Sequence, residues 1–420
     1  MNNFDNFNFE KLYTDTDAAI TRYKKAYKEF EKHFGKVENY KAEKLAAVSA
    51  PGRTEIGGNH TDHQKGCVIA ASINLDILAL AIPNGTNSVN LYSDGFGMQK
   101  IDLSALEPET DKNDTSALIR GVASWMKEND YKIEGFDAYL TSDVLVGSGL
   151  SSSAAFEVAV GGIFSFLFNN NKVSPMELAI AGQWAENNFM NKASGLMDQT
   201  ASAVGGFVSI DFENTKSPKI KPISFDMSKT EYALCVVDVN ASHANLTEAY
   251  SQITREMKQV AQFFGKEVLR EVSEKEFFSK LKQLRLKVGD RPVLRALHFF
   301  GENQRAIDQA KLLQQNKLEE FLELVRASGN SSYKYLQNIY ADPNHQAVSM
   351  ALAISEKILY ANNRSRAAVR VHGGGFAGTI LAFVPNDLLE NYKKEIEKVF
   401  GKNSCHILQI RNVGVWAQYL

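Results

Sequence analysis

Apolar and polar positions along the chain alternate with periods that change every 10 to 20 residues or so, and these periods predict its elements. From about Asp17 to Phe34, apolar residues recur at helical spacing among lysines and glutamates, which predicts an exposed amphipathic helix. "KLAAVSA" and "CVIAASINLDILALAIP" predict strands, with the polar, glycine-bearing "GRTEIGGNHTDHQ" between them read as a loop. A loop of that length inside a compact domain is uncommon and usually functional. "GFDAYLTSDV" sets Phe136, Ala138 and Leu140 against Asp137, Tyr139 and Thr141, the pattern of a half-buried strand. "LVGSGLSSS" follows and leads into the helical run "AAFEVAVGGIFSFLF". The next helix has Ser174 as cap, Pro175 in its first turn and Glu177 completing a capping box. A further helix from "LMDQTASAVGG" is expected to stop at Gly205 and Gly206.

"GFVSIDF" predicts a strand, and "SPKIKPISFD", with two prolines and mixed polarity, is read as the domain boundary. "YALCVVDVN" is a buried strand, Ser251 to Tyr360 is mostly helical, and "AAVRVHGGGFAGTILAFVP" reads as strand, glycine turn and apolar segment. A helix near Glu390 and strands in "CHILQI" and "GVWAQYL" close the chain. Alternating helices and paired strands predict an α+β protein of two domains, residues 1–215 and 216–420. The length of 420 residues agrees, since single cores seldom exceed about 250–300 residues.

Charge and cysteine content narrow the class. A formal net charge of −2 favours no polyanionic partner such as nucleic acid. Three widely spaced cysteines, Cys67, Cys235 and Cys405, argue against a disulfide framework and fit a reducing compartment. The polar, acidic N-terminus lacks the pattern of a secretion signal, and the densest apolar run is too short to span a membrane. A cytoplasmic protein is expected.

Four segments carry the candidate chemistry. The first, Gly147, Ser148, Gly149, Leu150, Ser151, Ser152 and Ser153, joins a strand to a helix start. Glycines admit close backbone approach, and free N–H groups at a helix N-terminus attract phosphate. The consecutive serines can add donors or hold magnesium. The loop lacks the lysine of a Walker A sequence. The second segment pairs Glu186, near one helix end, with Asp198, in the first turn of the next. Phosphoryl transfer needs a metal held by few protein ligands and a carboxylate to orient the hydroxyl, though a first-turn acid is equally expected from the helix dipole. The third is "VHGGGFAG", which resembles an esterase oxyanion turn but has no later G-x-S-x-G elbow; it is read as packing against the phosphate loop or as a plain tight turn. In the fourth, "GRTEIGGNHTDHQKG", His60 and His63 lack the further ligands that zinc requires. Aspartate and neutral histidine suit the hydroxyls of a sugar, and Arg53 suits phosphate.

These four segments, in this order, resemble the GHMP kinase family, and within it the galactokinases. "APGRTEIGGNHTDH" is similar to the family's A-P-G-R-V-N-L-I-G-E-H-T-D-Y, and "GSGLSSSA" matches G-x-G-L-S-S-S-A in full. "AENNFMNKASGLMDQ" and "RVHGGGFAG" resemble the two remaining motifs, and "NASHANLTEAYSQITRE" a segment with a sugar-contacting tyrosine. The resemblance implies a GHMP kinase fold with its site in the cleft between the domains. It implies Asp198 and Arg53 as catalytic residues, Gly147 to Ser153 binding ATP, and Ser153 with Glu186 holding Mg2+. Asn59, His60, Asp62, Gly195 and Tyr250 would line the sugar site. The implied reaction is phosphorylation of the anomeric hydroxyl of a hexose, galactose foremost. The alternatives are a related sugar such as N-acetylgalactosamine or galacturonate, or a sugar sensor without activity. The implied partners are a small-molecule sugar and a nucleotide, with no nucleic acid and no membrane, and a monomer is expected. The chain departs from the pattern by exchanging Asn and Glu at positions 55 and 59, by Gly57 and His63, and by Thr115 and Leu118 where the family has W-x-x-Y near the adenine.

Overall fold

A computed structural model describes the chain apart from residues 1–3, 5, 6, 43, 109–113, 146–148, 191, 193, 216, 241–245, 361–365 and 377. Its first half runs α1 (Thr16–Phe34), β1 (Ala46–Gly57), β2 (Cys67–Pro83), β3 (Ser88–Ser93), β4 (Gly97–Asp102), α2 (Thr115–Glu128), β5 (Phe136–Ser142), α3 (Ser152–Phe168), α4 (Pro175–Phe189), α5 (Met197–Val204), β6 (Phe207–Asp211) and β7 (Lys219–Ile223). Its second half runs β8 (Tyr232–Asp238), α6 (Thr247–Phe263), α7 (Glu274–Ser279), α8 (Leu281–Val288), α9 (Asp290–Gln314), α10 (Leu318–Ser331), α11 (Ala347–Leu359), β9 (Ala368–His372), β10 (Thr379–Pro385), α12 (Leu389–Phe400), β11 (Cys405–Leu408) and β12 (Trp416–Tyr419).

Local chemistry explains several boundaries. The Asp15 carboxylate caps α1 by accepting from the Ala18 N–H at 2.9 Å. Ser174, Pro175 and Glu177 form the expected capping box at α4, and Gly205 with φ 86° ends α5.

Two sheets organise the protein. The larger has strand order β12-β1-β2-β5-β3-β4, with β6 beside the first part of β2 and β7 outside β6. The smaller runs β11-β8-β10-β9 and is antiparallel throughout. Helices α2 to α5 cover one face of the large sheet, in a core that includes Ile69, Ile119, Val158 and Ala201. Helix α1 covers part of the other face through Tyr23, Ala26 and Phe30 against Leu78, Leu80 and Tyr139. This second cover overturns the half-buried reading of β5: Tyr139 and Asp137 are buried as well as Phe136, Ala138 and Leu140.

The two-domain α+β organisation is present, but residues 215 and 216 do not divide the sheets. The proline-bearing segment read as a boundary is β7, paired with β6, and β12 returns to pair with β1. Proline is tolerated on an outermost strand because no neighbour requires its missing N–H. The central segment also differs from its reading as a loop. Strand β1 continues through Arg53 to Gly57, with register shifts against β2 between Pro51 and Arg53 and between Glu55 and Gly57. Such bulges twist a strand and re-aim its side chains. Here Arg53 and Glu55 both reach the wall of one cleft.

Candidate active site

The cleft has a volume of about 1410 Å³ and is lined from both halves of the chain, by Arg53 and Glu55 of β1, Glu186 of α4, Asp198 of α5, Tyr250 of α6 and Gly374 of the β9–β10 turn. At one end, Arg53 forks onto Asp198, with Nε to Oδ1 at 2.7 Å and Nη2 to Oδ2 at 2.9 Å. The remaining Arg53 nitrogen, Nη1, donates to the Gly149 carbonyl, and the Arg53 N–H donates to the Leu150 carbonyl at 3.1 Å. Ser151 Oγ donates to Asp198 Oδ2 at 2.5 Å. Burial pushes the Asp198 carboxyl up, but the charge and hydrogen bonds of Arg53, with Ser151, outweigh it and hold the group below its ordinary value. The Asp198 side chain keeps 33% of its surface exposed, so an ionised carboxylate faces the cleft.

Ser151 is left-handed, with φ 58°, and does not cap α3 with its side chain, which is committed to Asp198. The Ser151 side chain therefore leaves the first-turn N–H groups of this 17-residue helix uncapped, the arrangement that attracts phosphate. Ser153 Oγ donates to Glu186 Oε1 at 3.1 Å, so the two expected metal ligands are neighbours. Lys192 also donates to Glu186 Oε1, and Gln199 links Glu186 Oε2 to Glu157. Lys192 carried no signal in the sequence: it brings a half-exposed cation to the pair. Gly147 and Ser148 lie outside the described residues.

Along the cleft from Asp198 stand His60, Asp62, Gly195 and Tyr250. His60 Nε2–H donates to the Gly374 carbonyl at 3.0 Å, and the Tyr250 hydroxyl donates to the Gly375 carbonyl at 3.0 Å. A side chain at either of two glycines would crowd these groups. A Cβ on Gly195 would lie 2.7 Å from Asp62 Oδ2, and one on Gly374 would lie 2.5 Å from Tyr250 Cε1. Burial raises the Asp62 carboxyl despite the opposing influence of His60, and burial lowers His63 to about 3, so His63 is neutral.

The second half of the chain grips this loop from behind. His298 Nε2–H donates to the Asn59 carbonyl at 2.9 Å, and Glu302 Oε1 accepts from the Gly58 and Asn59 N–H groups at 3.2 and 3.4 Å. Burial lowers His298 to about 4; Glu302, whose burial is outweighed by His298, Arg305 and Arg370, falls to about 2. His372 Nε2 accepts the Glu55 N–H at 3.1 Å, which leaves Nδ1–H to donate to Thr379 Oγ1 at 2.8 Å. A Cβ on Gly149 would stand 3.1 Å from Thr379 Oγ1 and 3.4 Å from His372 Nδ1, so the strand ends that flank the glycine turn pack against the glycine–serine segment.

Residues 117–206 match the GHMP kinases N terminal domain, and residues 28–83 match the galactokinase galactose-binding signature. A galactokinase of Actinobacillus pleuropneumoniae is 30% identical over 362 residues, 85% of this chain and 90% of that protein. The chain belongs to the galactokinase family of GHMP kinases. A family member from Glaesserella parasuis is 29% identical over 90% of this chain and 93% of its own length. Among solved structures, Lactococcus lactis galactokinase complexed with galactose superposes with a TM-score of 0.79 at 25% identity, covering 94% of this chain and 99% of that one. A mevalonate kinase at 14% identity shares the fold, with a TM-score of 0.61 over 87% of this chain.

Against the family pattern, one expected sugar contact is displaced. Asn59 is fully buried and absent from the cleft wall, because its amide is consumed by protein groups. Glu55 lines the cleft in its stead, paired with the buried Arg370. Arg370 was visible only as the first letter of "RVHGGGFAG"; nothing in the sequence connected it to a glutamate 315 positions earlier. At the positions where the galactokinase pattern has W-x-x-Y, Thr115 is partly buried and Leu118 is buried, both in the first turn of α2.

Proposed function

We propose that this protein transfers the γ-phosphoryl group of ATP to the anomeric hydroxyl of galactose, giving galactose 1-phosphate and ADP. The observation that carries the reading is Asp198, ionised and aimed into the cleft by the Arg53 fork and Ser151. The family relationship and the galactose-bound structural relative support the choice of sugar.

Phosphoryl transfer asks little covalent chemistry of a protein; positioning and charge stabilisation supply most of the rate. Asp198 accepts a hydrogen bond from the C1 hydroxyl and directs an oxygen lone pair at the γ-phosphorus. Being held below its ordinary pKa, it is a weak base, and it takes the proton only as the new O–P bond forms and the bond to ADP breaks. Arg53 keeps Asp198 charged and offsets the charge on the transferring group. The Gly149–Ser153 backbone and the α3 N-terminus hold the phosphates, and His60, Asp62, Gly195 and Tyr250 hold the sugar. Ser153 and Glu186 supply two hard oxygen donors 3.1 Å apart, which suits a Mg2+ ion that takes few protein ligands and keeps water and phosphate oxygens. When bound there, Mg2+ neutralises phosphate charge. The three cysteines are free and buried, and no helix among the described residues is long and apolar enough to cross a membrane. These features support our placing the protein in the cytoplasm; that it acts as a monomer is part of the same proposal.

The deciding experiment supplies Mg-ATP with a panel of hexoses, uronic acids and N-acetylhexosamines and measures sugar 1-phosphate. Galactose is expected to turn over fastest. Sugar binding without turnover of any sugar would make the protein a sensor instead.

A further inference from the structure

The geometry points to Glu55 as the carboxylate that receives a galactose hydroxyl on the side of the ring away from C1, and as the residue that excludes uronic acids. The inference rests on the sugar-kinase reading above and goes beyond it by naming the specificity contact.

Three observations carry it. The two oxygens of Glu55 have different surroundings. Oε1 accepts from Arg370 Nη2 and from Asn59 Nδ2, the latter at 3.0 Å. Oε2 accepts from no protein group among the described residues, and Glu55 forms part of the cleft wall beside His60, Gly373 and Gly374. One oxygen is thus fixed from behind and the other is presented to the ligand.

Asn59 has no capacity left for a sugar. An amide has two N–H donors and two acceptor sites. Nδ2 donates to Glu55 Oε1 and to the Gly373 carbonyl at 2.7 Å, while Oδ1 accepts from Asn338 Nδ2 at 2.9 Å and Ser332 Oγ at 3.3 Å. The orientation of the amide is dictated chemically, because a carboxylate and a carbonyl can only accept. Asn59 is therefore a positioning residue for Glu55.

Arg370 does not line the cleft. It is 0% exposed, and it donates from Nε to the Val371 carbonyl at 2.9 Å, from Nη1 to the Ile56 carbonyl at 3.0 Å, and from Nη2 to Glu55. It offsets the charge of Glu55 without being able to receive a second carboxylate. A hydroxyl can donate to Oε2; the carboxylate of a uronic acid can only repel it. Placement follows from the strand. Glu55 lies two residues beyond Arg53, about 7 Å along β1 at the usual rise, which is close to the width of a hexose ring whose C1 hydroxyl meets Asp198.

The test measures sugar binding by calorimetry, with no nucleotide, so that it reads independently of turnover. Galactose, galacturonate and the 2-, 3-, 4- and 6-deoxygalactoses are titrated into the native protein and into Glu55→Gln, whose folding is checked by thermal melting. For the native protein, one of the 3-, 4- and 6-deoxy sugars should bind about 10- to 100-fold more weakly than galactose, the loss expected for a hydrogen bond to a charged acceptor. Galacturonate should not bind measurably. In Glu55→Gln that same deoxy sugar should lose less than threefold relative to galactose. Equal losses for that sugar in both proteins would overturn the proposal. Galacturonate binding as tightly as galactose would also overturn it, and that arm needs no variant. Absence of phosphorylation with intact galactose binding would instead sink the kinase reading and leave Glu55 where it is.

Discussion

Arg53 and Glu55 stand two residues apart on one strand, yet the regions they head are built oppositely. At the reacting end, Arg53, Asp198, Ser151 and Gly149 all come from the first half of the chain, and Asp198 keeps a third of its side chain exposed. At the sugar end, Glu55 and Asn59 are tied to Arg370, Ser332 and Asn338 of the second half, with Asn59, Arg370, Ser332 and Asn338 fully buried. The first arrangement leaves a charge open to meet a developing charge. The second ties one Glu55 oxygen and the whole Asn59 amide to protein groups and leaves the other Glu55 oxygen, which suits selection among hydroxyl patterns. In the function proposed above, reactivity and recognition are separated along one strand, with the bulges in β1 bringing both side chains to the same cleft.

The sharpest way to break this contrast is at Asp198. Asp198→Asn should lower kcat by about 10²- to 10⁴-fold while calorimetric galactose affinity stays within about threefold of native; near-normal turnover would remove Asp198 from its role. Arg370 is expected to behave in the opposite manner. Arg370→Met leaves Glu55 buried without its counter-charge and should cost about 3–5 kcal/mol of stability, read from urea unfolding, with a loss of sugar affinity and a smaller effect on kcat.

A pH series separates the two regions next. His298 and His63 are held neutral by burial, at about 4 and about 3. Their folded pKa values lie below the unfolded value near 6.5, so their contribution is fully present above that pH and is lost as pH falls toward 4. Stability should therefore decline by up to about 1.4 kcal/mol per pH unit per histidine across that window. Glu302, lowered to about 2, adds its own loss below about 4.5. Asp198, also lowered, stays ionised throughout the upper part of the window, so sugar affinity should fail before the Arg53–Asp198 pair does. A melting temperature flat from pH 7 to pH 4 would contradict the neutral clamp. The smallest effect is expected at Lys192, which competes for the Glu186 oxygen. Lys192→Met should lower the Mg2+ concentration for half-maximal activity by about two- to fivefold, in keeping with an exposed ion pair worth at most about 1 kcal/mol.

Elements with a strong local signal were readable directly. The capped α1, α4 and α5 and the strand–loop–helix at the serine segment depend on neighbouring residues, as do β9 with its glycine turn and the terminal strand β12. What misled was the surroundings of those elements. The segment from Arg53 to Gly57 looked like loop because its side chains are polar, but those polar groups face a cleft and are satisfied by partners elsewhere in the chain. The alternation of β5 suggested a wet face, and α1 covers it.

The sequence by itself determined the chemical inventory: a glycine–serine turn before a helix, an arginine and an aspartate, and a segment rich in groups able to bind hydroxyls. Short-range spacing is enough for that, because caps, turns and helix starts are set by residues a few positions apart. Only the tertiary structure decided which of Glu55 and Asn59 reaches the cleft wall. That depends on Arg370, Asn338 and the Gly373 carbonyl, brought to within hydrogen-bonding distance by packing α9, α10 and β9 against β1. A hydrogen bond already satisfied inside the protein is unavailable to a substrate, and which bonds are satisfied is a property of the packed chain.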